Sequence, residues 1–199
     1  RILIGHSMGG VIALSLSTQH PDITSCLLLN TPGRPLSDVI ESQAAWNEVH
    51  TPSSNEAKAE ALRMRHALLD ALTLDEEWTE DNVDRKLLPM KHKRKFLKSV
   101  IHLDPCTLVG QGTCPVIIVQ GTTDVQVSTT DAKRLAQACE AAKRPYRLLL
   151  ADGLDHLLKR NAETGLKALR IYRDRRRRVP IALIRQIAET VRQYPWTGT

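Results

Sequence analysis

The tightest constraint in the chain lies within its first ten residues. A short apolar run, Arg1-Ile2-Leu3-Ile4, leads into Gly5-His6-Ser7-Met8-Gly9-Gly10, and a segment of helical composition, Val11 to Gln19, follows at once. Gly-x-Ser-x-Gly between a strand and a helix has the form of a nucleophile elbow. The turn must be tight, with a strained backbone at Ser7, so that the hydroxyl stands clear of the sheet. Side chains at Gly5 and Gly9 are expected to collide with the neighbouring strand and helix. The Met8 N–H, at the start of the helix and unpaired there, would point toward the hydroxyl, where developing negative charge is stabilised. The competing reading is an ordinary strand-to-helix turn whose serine merely caps the helix.

Beyond the elbow, the helix from Gly10 to Gln19 is apolar nearly all round, which predicts burial on most sides. His20-Pro21-Asp22 stops it. Ser25-Cys26-Leu27-Leu28-Leu29 is a continuous apolar run of the kind found in a parallel strand covered on both faces. Residues 34 to about 107 change character: helical composition, no clear strand, and capping-box patterns at Ser53-x-x-Glu56 and Thr73-x-x-Glu76. Helices are expected over Glu56 to Leu72, Asn82 to Leu88 and His92 to Leu103. Strand character returns at Pro115 to Gln120 and again at Tyr146 to Ala151. Between those strands Ser128-x-x-Asp131 caps a helix whose inner face carries Ala132, Leu135, Ala136 and Cys139. A final helix begins after Pro180, with Ile184, Ile187, Ala188 and Val191 facing inward.

Strands that alternate with helices imply right-handed crossovers and a parallel sheet, so the fold class is α/β with about four strands. Three segments are expected: a first core part at 1–33, a helical lid insertion at 34–107, and a second core part at 108–199. In such sheets reactive groups gather beyond the carboxyl ends of the strands. Ser7, Asp124 and His156 each fall just past a strand end. A serine hydroxyl needs a base to attack an acyl carbon at neutral pH. His156 can accept and return the proton, and Asp124 can hold the imidazole in the required tautomer. The competing readings are a turn aspartate at 124 and a surface histidine at 156. Asp152 and Asp155 lie too near His156 in sequence to reach its ring easily. His6 is read as structural, because alternate residues of an extended segment point to opposite sides. His20, His50, His66, His92 and His102 have no strand-end context.

Composition excludes several classes. The 199 residues are 42% hydrophobic and 25% charged, ordinary for a globular protein, and no apolar run approaches a membrane span. The net charge is +6, with two basic clusters: Lys91-His92-Lys93-Arg94-Lys95, and Arg173 with Arg175 to Arg178. These are read as solvated surface rather than a nucleic-acid site, since aromatic residues for base stacking make up only 4%. Cys26, Cys106, Cys114 and Cys139 form no Cys-x-x-Cys pair. They are expected to be free thiols in a reducing, cytoplasmic compartment, with no metal site.

These motifs resemble those of a known superfamily. Gly5-His6-Ser7-Met8-Gly9-Gly10 is similar to the elbow of α/β-hydrolase esterases, monoacylglycerol lipases and serine aminopeptidase-like hydrolases. Val119 to Ser128 is similar to the segment that carries their acid, and Gly153-Leu154-Asp155-His156 to the turn that carries their histidine. The resemblance spans 1–33 and roughly 108–199, and not the lid. It implies Ser7 as nucleophile, Asp124 as acid, His156 as base and the Met8 N–H as one oxyanion donor. It further implies a small-molecule ester or amide substrate, an acyl-enzyme and hydrolysis without cofactor. An ester is the leading expectation. An aminopeptidase, with Glu76, Glu77 or Glu80 recognising a substrate amine, and a non-catalytic binding scaffold are the alternatives. Strands and an oxyanion loop normally precede such an elbow, so a chain beginning at Arg1 is expected to be the C-terminal part of a longer protein.

Overall fold

A computed structural model describes residues 1–163, 165–174 and 176–193. Two compact units emerge: Arg1–Pro35 with the described residues from Asp104 onward, and Leu36–Leu103.

The first unit is built on a sheet of β1 (Ile2–His6), β2 (Ser25–Leu29), β3 (Val116–Gly121) and β4 (Tyr146–Ala151), all parallel and in that order. The register sets His6 beside Leu29 and Leu29 beside Val119, so the strands finish at one common edge. The central strands β2 and β3 are buried almost throughout, as strands covered on both faces must be. The outer strands are not: Ile2, Ile4 and Leu150 are exposed, because an outer strand has one neighbour to cover it.

Period-two alternation sends successive side chains to opposite faces. On one face α1 (Met8–Gln19), α5 (Pro105–Gln111) and α6 (Thr129–Ala141) pack together, with the Cys26 thiol directed at the Ala13 carbonyl of α1. On the other, Leu27, Ile117 and Val119 form a core with Leu154, Leu158 and Leu183, against which Ile187 and Val191 are packed. Those last residues belong to α8 (Ile181–Gln193).

Two sequence expectations about helix faces need correction. Leu16 of α1 is partly exposed, so that helix buries one side (Val11, Ala13, Leu14, Ser17) rather than most. In α8 Ile187 and Val191 face inward as expected, but at its start the buried residue is Leu183, whereas Ile184 is exposed. The Ser128–Asp131 capping box at the head of α6 is present in both directions.

The second unit consists of α2 (Leu36–His50), α3 (Asn55–Thr73), a 3₁₀ segment (Arg85–Lys93) and α4 (Arg94–Val100). Ala71, Leu72, Trp78, Leu87 and Ile101 form its core, and the Trp78 indole donates to the Ala71 carbonyl at 3.0 Å. Its start signals differ from those expected. Ser54, not Ser53, caps α3 by accepting from the Ala57 N–H. Thr73 closes α3 instead of opening a helix, and its hydroxyl donates to the Asp70 carbonyl. Asp84 caps the following segment, where Pro89 lacks the amide hydrogen that an α-helix would use. That segment winds as 3₁₀ and starts at Arg85, later than Asn82. Among the described residues no helix is long and apolar enough to cross a membrane. Arg175 of the second basic cluster lies outside the described residues.

Candidate active site at the carboxyl edge of the sheet

Ser7 follows β1 directly and has φ 55° and ψ −128°. That backbone region is disfavoured for a residue with a Cβ and costs on the order of 1–3 kcal/mol. The surroundings hold it there: its N–H donates to the Leu29 carbonyl at 2.8 Å, and its carbonyl accepts from the Gly10 N–H at 2.9 Å. The hydroxyl makes no capping bond to α1, which removes the reading of Ser7 as a helix cap. The glycines act differently from expectation. A Cβ on Gly5 would strike the backbone of Gly9 and Gly10, and a Cβ on Gly10 would strike Thr31, but Gly9 faces open space. The close approach thus depends on Gly5 and Gly10. As the first residue of α1, Met8 has an N–H with no intrahelical acceptor.

Asp124 lies in the turn after β3 and His156 in the loop after β4. The His156 Nδ1–H donates to Asp124 Oδ2 at 2.7 Å, and both side chains are almost wholly buried. A carboxylate only accepts, so Nδ1 carries a proton, and in the neutral ring the lone pair is on Nε2. The other carboxylate oxygen, Oδ1, accepts from the Gln126 and Val127 N–H groups at 2.8 and 3.0 Å. Gln120 Nε2 reaches Oδ2 at 3.4 Å. Asp124 is thereby fixed by its own turn, and its remaining capacity is turned to the histidine.

The histidine loop is held as firmly. Asp155 is fully buried and accepts from the Leu157 and Lys159 N–H groups and from Asn161 Nδ2. Leu158 adopts φ 55°, and Leu154 bridges Arg160 across the loop. A Cβ on Gly121 would collide with the Leu154 carbonyl, which brings the end of β3 against this loop.

Two residues that motif reading did not select tie the parts together. Asn30, fully buried and at φ 45°, follows β2. Its Nδ2 donates to the carbonyls of Asp155 and His156 at 3.0 and 2.8 Å, and its Oδ1 accepts from the Gly121 N–H at 2.7 Å. One amide therefore joins the β2 end, the β3 turn and the histidine loop. The only signal in the sequence was an amide ending an apolar run. His6, read as structural from strand alternation, donates from Nε2 to the His156 carbonyl at 2.6 Å, with the two rings 4.8 Å apart. Through His6 the residue next to Ser7 is linked to His156. Among the described residues no hydrogen bond to the Ser7 hydroxyl is present. Burial pushes the Tyr172 phenol up to about 12, so it stays protonated at neutral pH.

Among the described residues no group of three or more His, Cys, Asp or Glu side chains could hold a metal ion. A cleft of about 730 Å³ lies within the second unit, between α2, α3 and the 3₁₀ segment. It is lined by Ile40, Ala44, Met64, Leu68 and Met90 among others, and by none of Ser7, Asp124 or His156.

A parallel α/β sheet with these groups at its carboxyl edge defines the α/β-hydrolase class. Residues 1–163 match the family model described as serine aminopeptidase, S33 (Hydrolase_4), and the chain belongs to that family. Its fold is similar to solved structures at low identity. A Mycobacterium tuberculosis puromycin-hydrolyzing peptidase is 17% identical, with 78% of this chain and 18% of that one covered and a TM-score of 0.45. The esterase domain of a Rhodothermus marinus protein is 17% identical, with 78% and 52% covered and a TM-score of 0.42. A lipase-esterase related protein of Clostridium acetobutylicum is 16% identical, with 75% and 56% covered and a TM-score of 0.43. The chain thus spans between about a fifth and three fifths of these proteins. No curated protein matches it.

Proposed function

We propose that the protein is a serine hydrolase that cleaves carboxylic esters by acyl transfer to Ser7. The supporting observation is the 2.7 Å Asp124–His156 bond at the sheet edge where Ser7 stands on its strained turn. With Nδ1 protonated, His156 Nε2 takes the Ser7 proton as Oγ attacks the acyl carbon. Asp124 stabilises the imidazolium, and the Met8 N–H faces the negative charge that builds on the acyl oxygen. The imidazolium then protonates the leaving alcohol. Water, deprotonated by His156, attacks the acyl-enzyme; the acid departs and Ser7 recovers its proton. Substrate binding must bring the Ser7 hydroxyl into hydrogen-bond reach of His156 Nε2, as is common for catalytic hydrogen bonds in unliganded enzymes.

A fluorophosphonate probe tests this reading. Labelling of the complete parent protein that disappears in Ser7→Ala supports it; no labelling of the parent, or labelling that survives Ser7→Ala, rejects it and favours the binding scaffold. The serine aminopeptidase family match favours a second reading, in which the scissile bond is an aminoacyl amide. Turnover of a p-nitrophenyl ester against an aminoacyl p-nitroanilide separates the two. Both substrates are small molecules.

A further inference from the structure

At the opposite end of the sheet from Ser7 lies a second group of reactive side chains. Cys26 is near the start of β2, and Cys114 stands in the loop between α5 and β3. Cys26 is registered beside Val116, which puts Cys114 two residues before its neighbour on the adjacent strand. The two sulfurs are 3.9 Å apart, both buried and both free.

Against them lies Arg144, a guanidinium only 4% exposed. Its Nε donates to the Cys114 carbonyl at 2.6 Å and one terminal nitrogen to the Val109 carbonyl at 3.0 Å. The other terminal nitrogen is 3.2 Å from Cys114 Sγ and 3.5 Å from Ser17 Oγ. No carboxylate is among these partners. Removing a charge from water costs several kcal/mol unless an opposite charge or close hydrogen bonds offset it. Carbonyls offset part of that cost. The thiols that feel the Arg144 charge are those of Cys26, Cys114 and Cys139. Cys139, whose carbonyl accepts from the Arg144 N–H, has its thiol pushed up to about 11 by burial. Cys26 is driven up as well, by its hydrogen bond to Cys114 and by burial. Cys114 moves the other way, down to about 6, through the hydrogen bond from Cys26 and the charge of Arg144.

We propose that Cys114 is a thiolate paired with Arg144, and that Cys114 and Cys26 form a peroxide-sensitive oxidation site separate from the Ser7 edge. The geometry sets a guanidinium nitrogen 3.2 Å from the Cys114 sulfur that would attack, and a second thiol 3.9 Å away to resolve the product. Cys114 S⁻ attacks one oxygen of hydrogen peroxide, giving Cys114–SOH and hydroxide. The Cys26 sulfur then displaces the sulfenic oxygen, and the Cys26 proton leaves with it as water. Two thiols lose two electrons to the peroxide, and the α5–β3 loop becomes covalently clamped to β2.

The test uses the intact chain and does not depend on hydrolase activity. In the wild-type protein, absorbance at 240 nm should show one thiolate forming well below the ordinary thiol range. After hydrogen peroxide treatment, denaturation and alkylation, mass mapping should join the Cys26 and Cys114 peptides, with Cys106 and Cys139 alkylated. In Cys26→Ser the reaction should stop at a sulfenic acid on Cys114 that dimedone traps. Arg144→Met should raise the thiolate midpoint by about one to three units and slow oxidation at neutral pH tenfold or more, and Arg144→Lys should restore much of the rate. No thiolate step below pH 8 in wild type would overturn the proposal whether or not any variant folds. So would oxidation of Cys106, the most exposed thiol, ahead of Cys114, or an unchanged rate in a folded Arg144→Met protein.

Discussion

The two units of this chain handle polar groups in opposite ways. In the first, Asn30, Gln120, Asp131, Arg144, Asp155, His156 and Asn161 are all buried, and each is bound to backbone or to another buried side chain. In the second, Arg94 is the only buried polar side chain among the described residues, and its Nη2 donates to the Leu74 carbonyl. The remaining charge of that unit sits outside, in pairs such as Arg63–Glu60, Arg63–Asp84 and Lys98–Asp75. A buried polar bond has a large cost of failure, because the abandoned partner stays dry. An exposed pair has little, because water replaces it. The first unit therefore fixes atoms in place, and the second holds together through Trp78 and its apolar neighbours.

The largest expected effect falls on chemistry alone. Ser7→Ala should reduce ester turnover by about four orders of magnitude or more. It should leave the melting temperature unchanged or slightly higher, since the strained residue becomes smaller and breaks no hydrogen bond. A Ser7→Ala protein with near-normal turnover would remove the first unit's claim to the reaction. Next comes the hub of the second unit. Trp78→Ala opens a cavity beside Leu72, Leu87 and Ile101 and loses the bond to Ala71, for a cost of about 3–5 kcal/mol. Amide exchange within Leu36–Leu103, followed by mass spectrometry, should accelerate accordingly. Unchanged exchange would mean that Trp78 fills space without holding the unit together.

Smaller than that, and the sharpest probe of the contrast, is Asn30→Ala. It strands the Gly121 N–H, at about 1–3 kcal/mol, and takes one donor each from the Asp155 and His156 carbonyls, which keep the Leu158 N–H and His6 Nε2. Because those groups belong to the turns bearing Asp124 and His156, turnover should fall at least tenfold with little change in KM. A loss of stability with turnover intact would reduce Asn30 to a packing role. A motif could not have revealed this residue. The strand-end positions of Ser7, Asp124 and His156 were legible because local spacing alone dictates where a strand stops. Asn30 acts on groups ninety residues or more away, His6 acts through a carbonyl, and the role of Gly10 depends on where Thr31 comes to lie. Such tertiary partners leave no periodic trace. The helix starts at Ser54 and Asp84 were displaced for a milder reason: several capping residues lie within a few positions, and only packing selects among them.

The smallest effect belongs to the exposed charges of the second unit. Hydrogen bonds from Arg63 and then Lys86 hold the Glu60 carboxyl down to about 2 from its ordinary 4.5. A depressed folded value means that this group contributes stability above the unfolded value and loses it as pH falls through the folded one. Glu60→Gln should thus lower the melting temperature slightly at neutral pH. The difference from wild type should shrink between about 4.5 and about 2, and it should also shrink at high ionic strength, because the pair faces water. If the difference instead persists in strong salt and at the acid end, Glu60 acts through packing of its aliphatic stem. The second unit would then owe more to side-chain contact at its surface, and less to charge, than its exposed ion pairs indicate.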